Sequence, residues 1–130
     1  MGSEMCIRDR ASNPLFQNQL GDADARLRAA RTLLYADAAT LWETAIAGAP
    51  FSPDHRARIR ASATWVTATA ASVVDMAYTA GGGSSIYSSN PLQRRLRDIR
   101  ALTQHFGVKL DTFTKAGAVL AGHDVDLTFL

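Results

Sequence analysis

What this sequence has little of narrows its chemistry before any motif is considered. The single cysteine, Cys6, lies in the tract Met5-Cys6-Ile7-Arg8-Asp9-Arg10, which looks like translated sequencing-adapter read-through rather than a native start. Residues 1–12 are therefore set aside as non-native or disordered, one helical domain is expected over 13–130, and disulfide or thiol chemistry drops out of the body. Setting aside Glu4, Arg8, Asp9 and Arg10 removes equal charge of each sign, so the formal net charge of +2 survives. That charge is too small to imply nucleic acid, and no nucleic-acid motif accompanies the arginines. No apolar run approaches the roughly 20 residues of a membrane-spanning helix, and the opening lacks a basic-then-apolar secretory pattern. A cytoplasmic protein without membrane contact is the expectation. His55 and His123 lack metal-ligand spacing, so no metal is expected and both are read as surface residues. Glutamate is scarce as well: only Glu4 and Glu43 occur.

What is present fits one ordinary domain, with 130 residues of which 47% are hydrophobic and 20% charged. Residues 13–22 read as an irregular lead-in. From Asp24, the residues Leu27, Ala30, Leu34, Ala38, Leu41 and Ala45 recur at helical steps and predict an inward stripe, ended near Ala47 by Gly48 and Pro50. Ser52-Pro53 supplies a cap and a first-turn proline for a second helix, whose stripe is Ile59, Ala63, Val66, Ala70, Val73 and Ala77. The β-branched residues between Thr64 and Val74 disfavour helix slightly, but the period outweighs that propensity.

The pattern breaks at Gly81-Gly82-Gly83-Ser84-Ser85, read as a flexible hinge. Asn90-Pro91 then starts a third helix carrying Leu92, Leu96, Ile99, Leu102 and Phe106 inward, with Arg94, Arg95, Arg97 and Arg100 around it and Gly107 as its stop. A fourth helix is expected from about Leu110 to Leu120. Four amphipathic helices without a strand predict an all-α, antiparallel up-and-down four-helix bundle. Alanine-rich stripes let the helix axes approach closely but bury little area per residue. Trp65, Tyr78 and Phe106 are read as core aromatics.

The run from Ala80 through the glycines, Ser84-Ser85-Ile86-Tyr87-Ser88-Ser89-Asn90-Pro91 and Leu92-Gln93-Arg94-Arg95-Leu96-Arg97-Asp98-Ile99-Arg100 to Thr103-Gln104-His105 resembles the C-terminal helical domain of the acyl-CoA dehydrogenase superfamily. It is most similar to the flavin-dependent monooxygenase branch, over roughly residues 13–122. The resemblance implies a piece of a longer flavoenzyme, with reduced flavin (FMN or FAD) as cofactor, a separate flavin reductase, and assembly as a homotetramer. It also implies a hydrophobic or aromatic small-molecule substrate.

The same resemblance assigns candidate residues. His105 falls where that branch carries an active-site histidine; imidazole as a group can donate to a flavin-bound oxygen or assist deprotonation of a phenol. The competing reading is that His105 caps the helix end against the macrodipole. Arg97, beside Asp98, matches the family's arginine-aspartate pair and is a candidate flavin ligand, because a planar guanidinium suits phosphate; a solvated face or an interface ion pair is the alternative. Gly82, Gly83, Ser84 and Ser85 match a loop near flavin or a neighbouring subunit. A dehydrogenase of this superfamily needs a carboxylate base, and neither Glu4 nor Glu43 follows Arg97-Asp98. Glu43 on the first helix would be the remaining candidate, so an acyl-CoA dehydrogenase-like flavoprotein stays as an alternative. A non-catalytic helical oligomerisation module is the other.

Overall fold

A computed structural model describes residues 9–126 and 128. Cys6, Glu4 and the rest of residues 1–8 lie outside that range. Among the described residues there is no strand, and the four main helices are α1 (Pro14–Ile46), α2 (Pro53–Gly81), α3 (Pro91–Leu102) and α4 (Thr112–Leu120). Two 3-10 turns, Gly82–Ile86 and Phe106–Val108, join the last three. The expected all-α four-helix architecture is observed.

Three helices begin the same way. Asn13, Ser52 and Asn90 each stand in extended conformation before a proline, and their side-chain oxygens accept from the amides of Leu15 and Phe16, His55, and Leu92 respectively. Those bonds satisfy donors that a helix start leaves open. The lead-in expected over residues 13–22 is therefore helical from Pro14, and α1 runs for 33 residues, about 50 Å. Gly21 does not break it, since neighbouring turns carry the ladder through. At the other end Gly48 adopts a φ of 62°, a left-handed conformation that favours glycine, and the helix stops as expected.

α2 is the central helix: α1 packs along one side, and α3, the second 3-10 turn and α4 follow one another along another. Gly81 of α2 lies against Leu92, Asp75 meets Arg100, Arg60 lies by Gly107, and Ala57 packs with Ala116. Chain order along this side therefore runs opposite to that of α2, and α3 and α4 share one long α2.

Every fully buried apolar side chain among the described residues is an alanine: Ala23, Ala30, Ala57, Ala71 and Ala116. Ala57 and Ala116 form the centre, with Ala61 and Val119 against them. Buried threonine needs an internal partner, and Thr64 finds one by donating to the Arg60 carbonyl at 3.0 Å. Because α2 is covered on two sides, its buried line is Ala57, Thr64, Thr67 and Ala71, whereas the expected stripe from Ile59 to Ala77 is only half-buried.

The α1 stripe departs further. Ala23 and Ala30 meet α2, while Leu20, Leu27, Leu34 and Leu41, spaced by seven residues, stay exposed together with Tyr35, Trp42 and Ile46. The small side chains set the close approach to α2 and leave the leucine line pointing past it. The chain exposes 9130 Å², where a compact monomer of its 14.0 kDa exposes roughly 6,700 Å². Large apolar faces thus remain uncovered.

Candidate functional site

The third helix ends sooner than its sequence suggests. It stops at Leu102, where the Thr103 hydroxyl turns back to donate to the Arg100 carbonyl at 2.7 Å. His105 then takes extended backbone, and its Nδ1 accepts from the Gly107 amide at 3.1 Å across the turn Phe106–Val108. His105 therefore caps a 3-10 turn instead of closing α3 against its dipole. Phe106, expected on the inner stripe, is exposed with its ring 4.6 Å from the imidazole, and the Arg60 guanidinium lies 6.0 Å above that ring. Gly107 is buried beneath them.

An imidazole whose Nδ1 accepts an amide hydrogen carries its own proton on Nε2 when neutral. Nε2 of His105 has no hydrogen bond among the described residues, and the residue is exposed. The arrangement presents an N–H donor outward from a ring held at its other nitrogen.

The four arginines of α3 divide. Arg94 pairs with Asp98 at 3.5 Å one turn on, and Arg100 makes a close ion pair with Asp75 of α2. Adjacent helical residues point in different directions, so Asp98 serves Arg94 instead of the Arg97 beside it in sequence. Arg97 is exposed and has no ion pair among the described residues. Arg100 ties α3 to the central helix, whereas Arg95 and Arg97 are both exposed.

The glycine-serine segment is not a slack hinge. Gly82 ends α2 with φ 63° and ψ −149°, backbone open essentially to glycine alone. Ser84 donates to the Gly81 carbonyl at 2.7 Å, Asn90 donates to the Ser84 carbonyl at 3.1 Å, and wholly buried Ser85 donates to the Tyr78 carbonyl at 2.8 Å. Ser85, a candidate cofactor ligand by sequence, thus has its hydroxyl hydrogen committed inside the fold. Gly83 is open to solvent, with no atom near the place of an added Cβ. This turn and His105 stand at opposite ends of α3, separated by about 18 Å of helix. The structure does not bring them together.

Other positions change their reading. Trp65 is exposed rather than core, and His55 is half-buried with Nε2 enclosed and its ring 5.4 Å from Phe51 rather than on the surface. Glu43 lies exposed near the end of α1. The described residues contain no cluster of metal-ligating side chains and no helix long and apolar enough to cross a membrane. One feature escaped the sequence reading: Phe16, Leu20, Met76, Ala77 and Ala80 line an apolar groove of about 310 Å³ between the start of α1 and the end of α2. Arg10, whose residues 9–11 form a helical turn, closes its rim by donating to the Ala80 carbonyl. The signal was available in Asn13-Pro14, which extends α1 far enough to form the wall.

Residues 5–110 match the family described as acyl-CoA dehydrogenase, C-terminal domain. The chain belongs to this family. Among curated relatives, an indole-3-acetate monooxygenase of Pseudomonas putida is 35% identical over 112 residues, covering 86% of this chain and 29% of the relative. An indole-3-acetate monooxygenase of Acinetobacter baumannii is 29% identical with the same coverage. A pigment production hydroxylase of Rhodococcus erythropolis is 33% identical over 86 residues, covering 66% of this chain and 22% of that protein. The chain of this acyl-CoA dehydrogenase-type domain thus spans less than a third of the length of the curated relatives it matches. Their names place them with oxygenases, as the arginine-to-histidine run led one to expect.

Proposed function

We propose that this chain is the C-terminal helical domain of a flavin-dependent monooxygenase, working within a longer protein on an aromatic or related hydrophobic small molecule. The observation that carries the reading is the His105 ring, tied at Nδ1 by the Gly107 amide and exposed at Nε2. A family resemblance alone would not assign chemistry. A fixed, outward N–H donor is what oxygen transfer needs, and the oxygenase names of the relatives agree with it.

Bound reduced flavin, FMN or FAD, would supply the oxygen-activating chemistry. Residues of this chain fit such a group: Arg97 offers an uncommitted guanidinium to a phosphate, and Gly83 leaves room for close backbone approach, while Gly82 beside it is faced by the Arg10 guanidinium. Ser84 has already donated its hydroxyl hydrogen, so it would meet a ligand as an acceptor. His105 Nε2 would donate to a ligand oxygen or pass a proton to and from a substrate hydroxyl. No glutamate follows Arg97-Asp98 in the sequence, and Glu43 lies exposed near the end of α1.

A cytoplasmic setting, a flavin reductase that delivers the reduced cofactor and a homotetramer complete the proposal. The uncovered leucine line of α1 supports burial against another subunit or the remainder of the chain. The test is His105→Ala in the full-length protein supplied with reduced flavin. Hydroxylation should slow by roughly 10²–10⁴-fold, the usual contribution of one acid-base group. Undiminished turnover would remove His105 from the site.

A further inference from the structure

Gly107 needs no unusual backbone, because its φ is not positive. Its reason for being glycine is therefore space. A Cβ built there would stand 3.0 Å from Arg60 Nη1, 3.1 Å from His105 Nδ1 and 3.3 Å from His105 Cε1. Each separation is tighter than ordinary van der Waals contact, so a side chain here would require the His105 ring or the Arg60 guanidinium to shift from its place. The same residue donates its amide to His105 Nδ1 at 3.1 Å. Phe106 flanks the imidazole at 4.6 Å between ring centroids, and Arg60 spans the Phe106 ring from α2.

From this we infer that Gly107 is a positioning residue which, with Arg60 behind it, fixes the orientation and tautomer of His105. The amide N–H accepts no hydrogen bond, so it pairs only with an unprotonated Nδ1 and selects the Nε2–H form of the neutral ring. The absence of a side chain lets the imidazole lie down on the turn while the guanidinium fills the space beneath. Flipping the ring would set its Cδ2–H against the Gly107 donor and lose the bond. The catalytic donor is thereby prepared before any ligand arrives, as a preorganised group should be. This inference rests on the role proposed for His105, but its test does not.

Nitrogen-15 spectra of the imidazole rings, recorded on the 130-residue chain at a pH where they are neutral, give the tautomer populations directly. Exposed His123 serves as the reference within the same molecule. His105 should hold a larger Nε2–H fraction than His123, and Gly107→Ala should bring it to the His123 value. Equal populations in the unaltered chain, or no change in Gly107→Ala, would overturn the inference. Should that variant fail to fold, the unaltered chain still decides: a scalar coupling between the Gly107 amide nitrogen and His105 Nδ1 is expected, and its absence refutes the bond. A biased tautomer together with undiminished turnover of His105→Ala in the full-length protein would leave the positioning intact and sink the catalytic role.

Discussion

Ser85 closes the end of the central helix by donating its buried hydroxyl to the carbonyl of Tyr78, seven residues earlier, at 2.8 Å. That bond holds the turn in a space that Gly81 must leave empty, because a Cβ at Gly81 would clash with Ser85 Oγ. Removing the hydroxyl strands a backbone carbonyl, and Ser85→Ala should cost about 1–3 kcal/mol. Gly81→Ala should cost at least as much by overpacking. Because the two act on one contact, the double variant should be less destabilised than the sum of the single ones in denaturant titrations. Simple additivity would show that the clash and the bond are separate.

Three arginines of α3 should behave differently on removal. Arg100→Ala and Arg94→Ala break solvent-exposed pairs with Asp75 and Asp98, so each should lower stability by less than about 1 kcal/mol and less still in high salt. Arg97→Ala breaks no pair and should leave the denaturation midpoint where it was. In the full-length protein it should instead weaken reduced-flavin binding by roughly 10-fold or more, the loss expected of a charge-assisted hydrogen bond worth about 1.5–3 kcal/mol. Unchanged flavin affinity would return Arg97 to an ordinary solvated surface.

The uncovered faces predict association. Leu20, Leu27, Leu34 and Leu41 form one line along α1, flanked by exposed Tyr35 and Trp42. Sedimentation of the 130-residue chain should report species heavier than 14.0 kDa, and Leu34→Glu with Trp42→Glu should shift them toward monomer. A stable monomer that binds no hydrophobic dye would mean the leucine line has no partner of this kind.

The N-cap of α1 offers a local test of why the helix begins so early. Asn13 Oδ1 accepts from Leu15 at 2.8 Å and Phe16 at 3.3 Å. Asn13→Ala should cost about 1 kcal/mol, Asn13→Asp or Asn13→Ser much less, by thermal or chemical denaturation.

Helix starts were legible where the capping residue and proline stand next to a clear apolar period, as at Ser52-Pro53 and Asn90-Pro91. The same signal at Asn13-Pro14 was hidden because Gln17, Asn18, Gln19 and Gly21 follow it and dilute the period. The end of α3 was illegible for the opposite reason: no breaker precedes Gly107, and the stop is made by Thr103 folding back and by the His105 side chain finding Gly107. The Arg94 and Asp98 pairing could be read from four-residue spacing, whereas Arg100 with Asp75 and Arg60 with Gly107 depend on how α3 and the second turn lie along α2. Amphipathic period indicated which α1 residues are apolar, but not that α2 would take its alanines and leave its leucines.

The proposed function stands on the His105 end of this domain taking part in oxygen transfer. Isotope-labelled dioxygen supplied to the full-length protein with reduced flavin and its aromatic substrate tests it most directly. One labelled oxygen atom should appear in the hydroxylated product, at a rate that falls with His105→Ala. Unlabelled product, or oxidation of a CH–CH bond in an acyl thioester in place of hydroxylation, would contradict it.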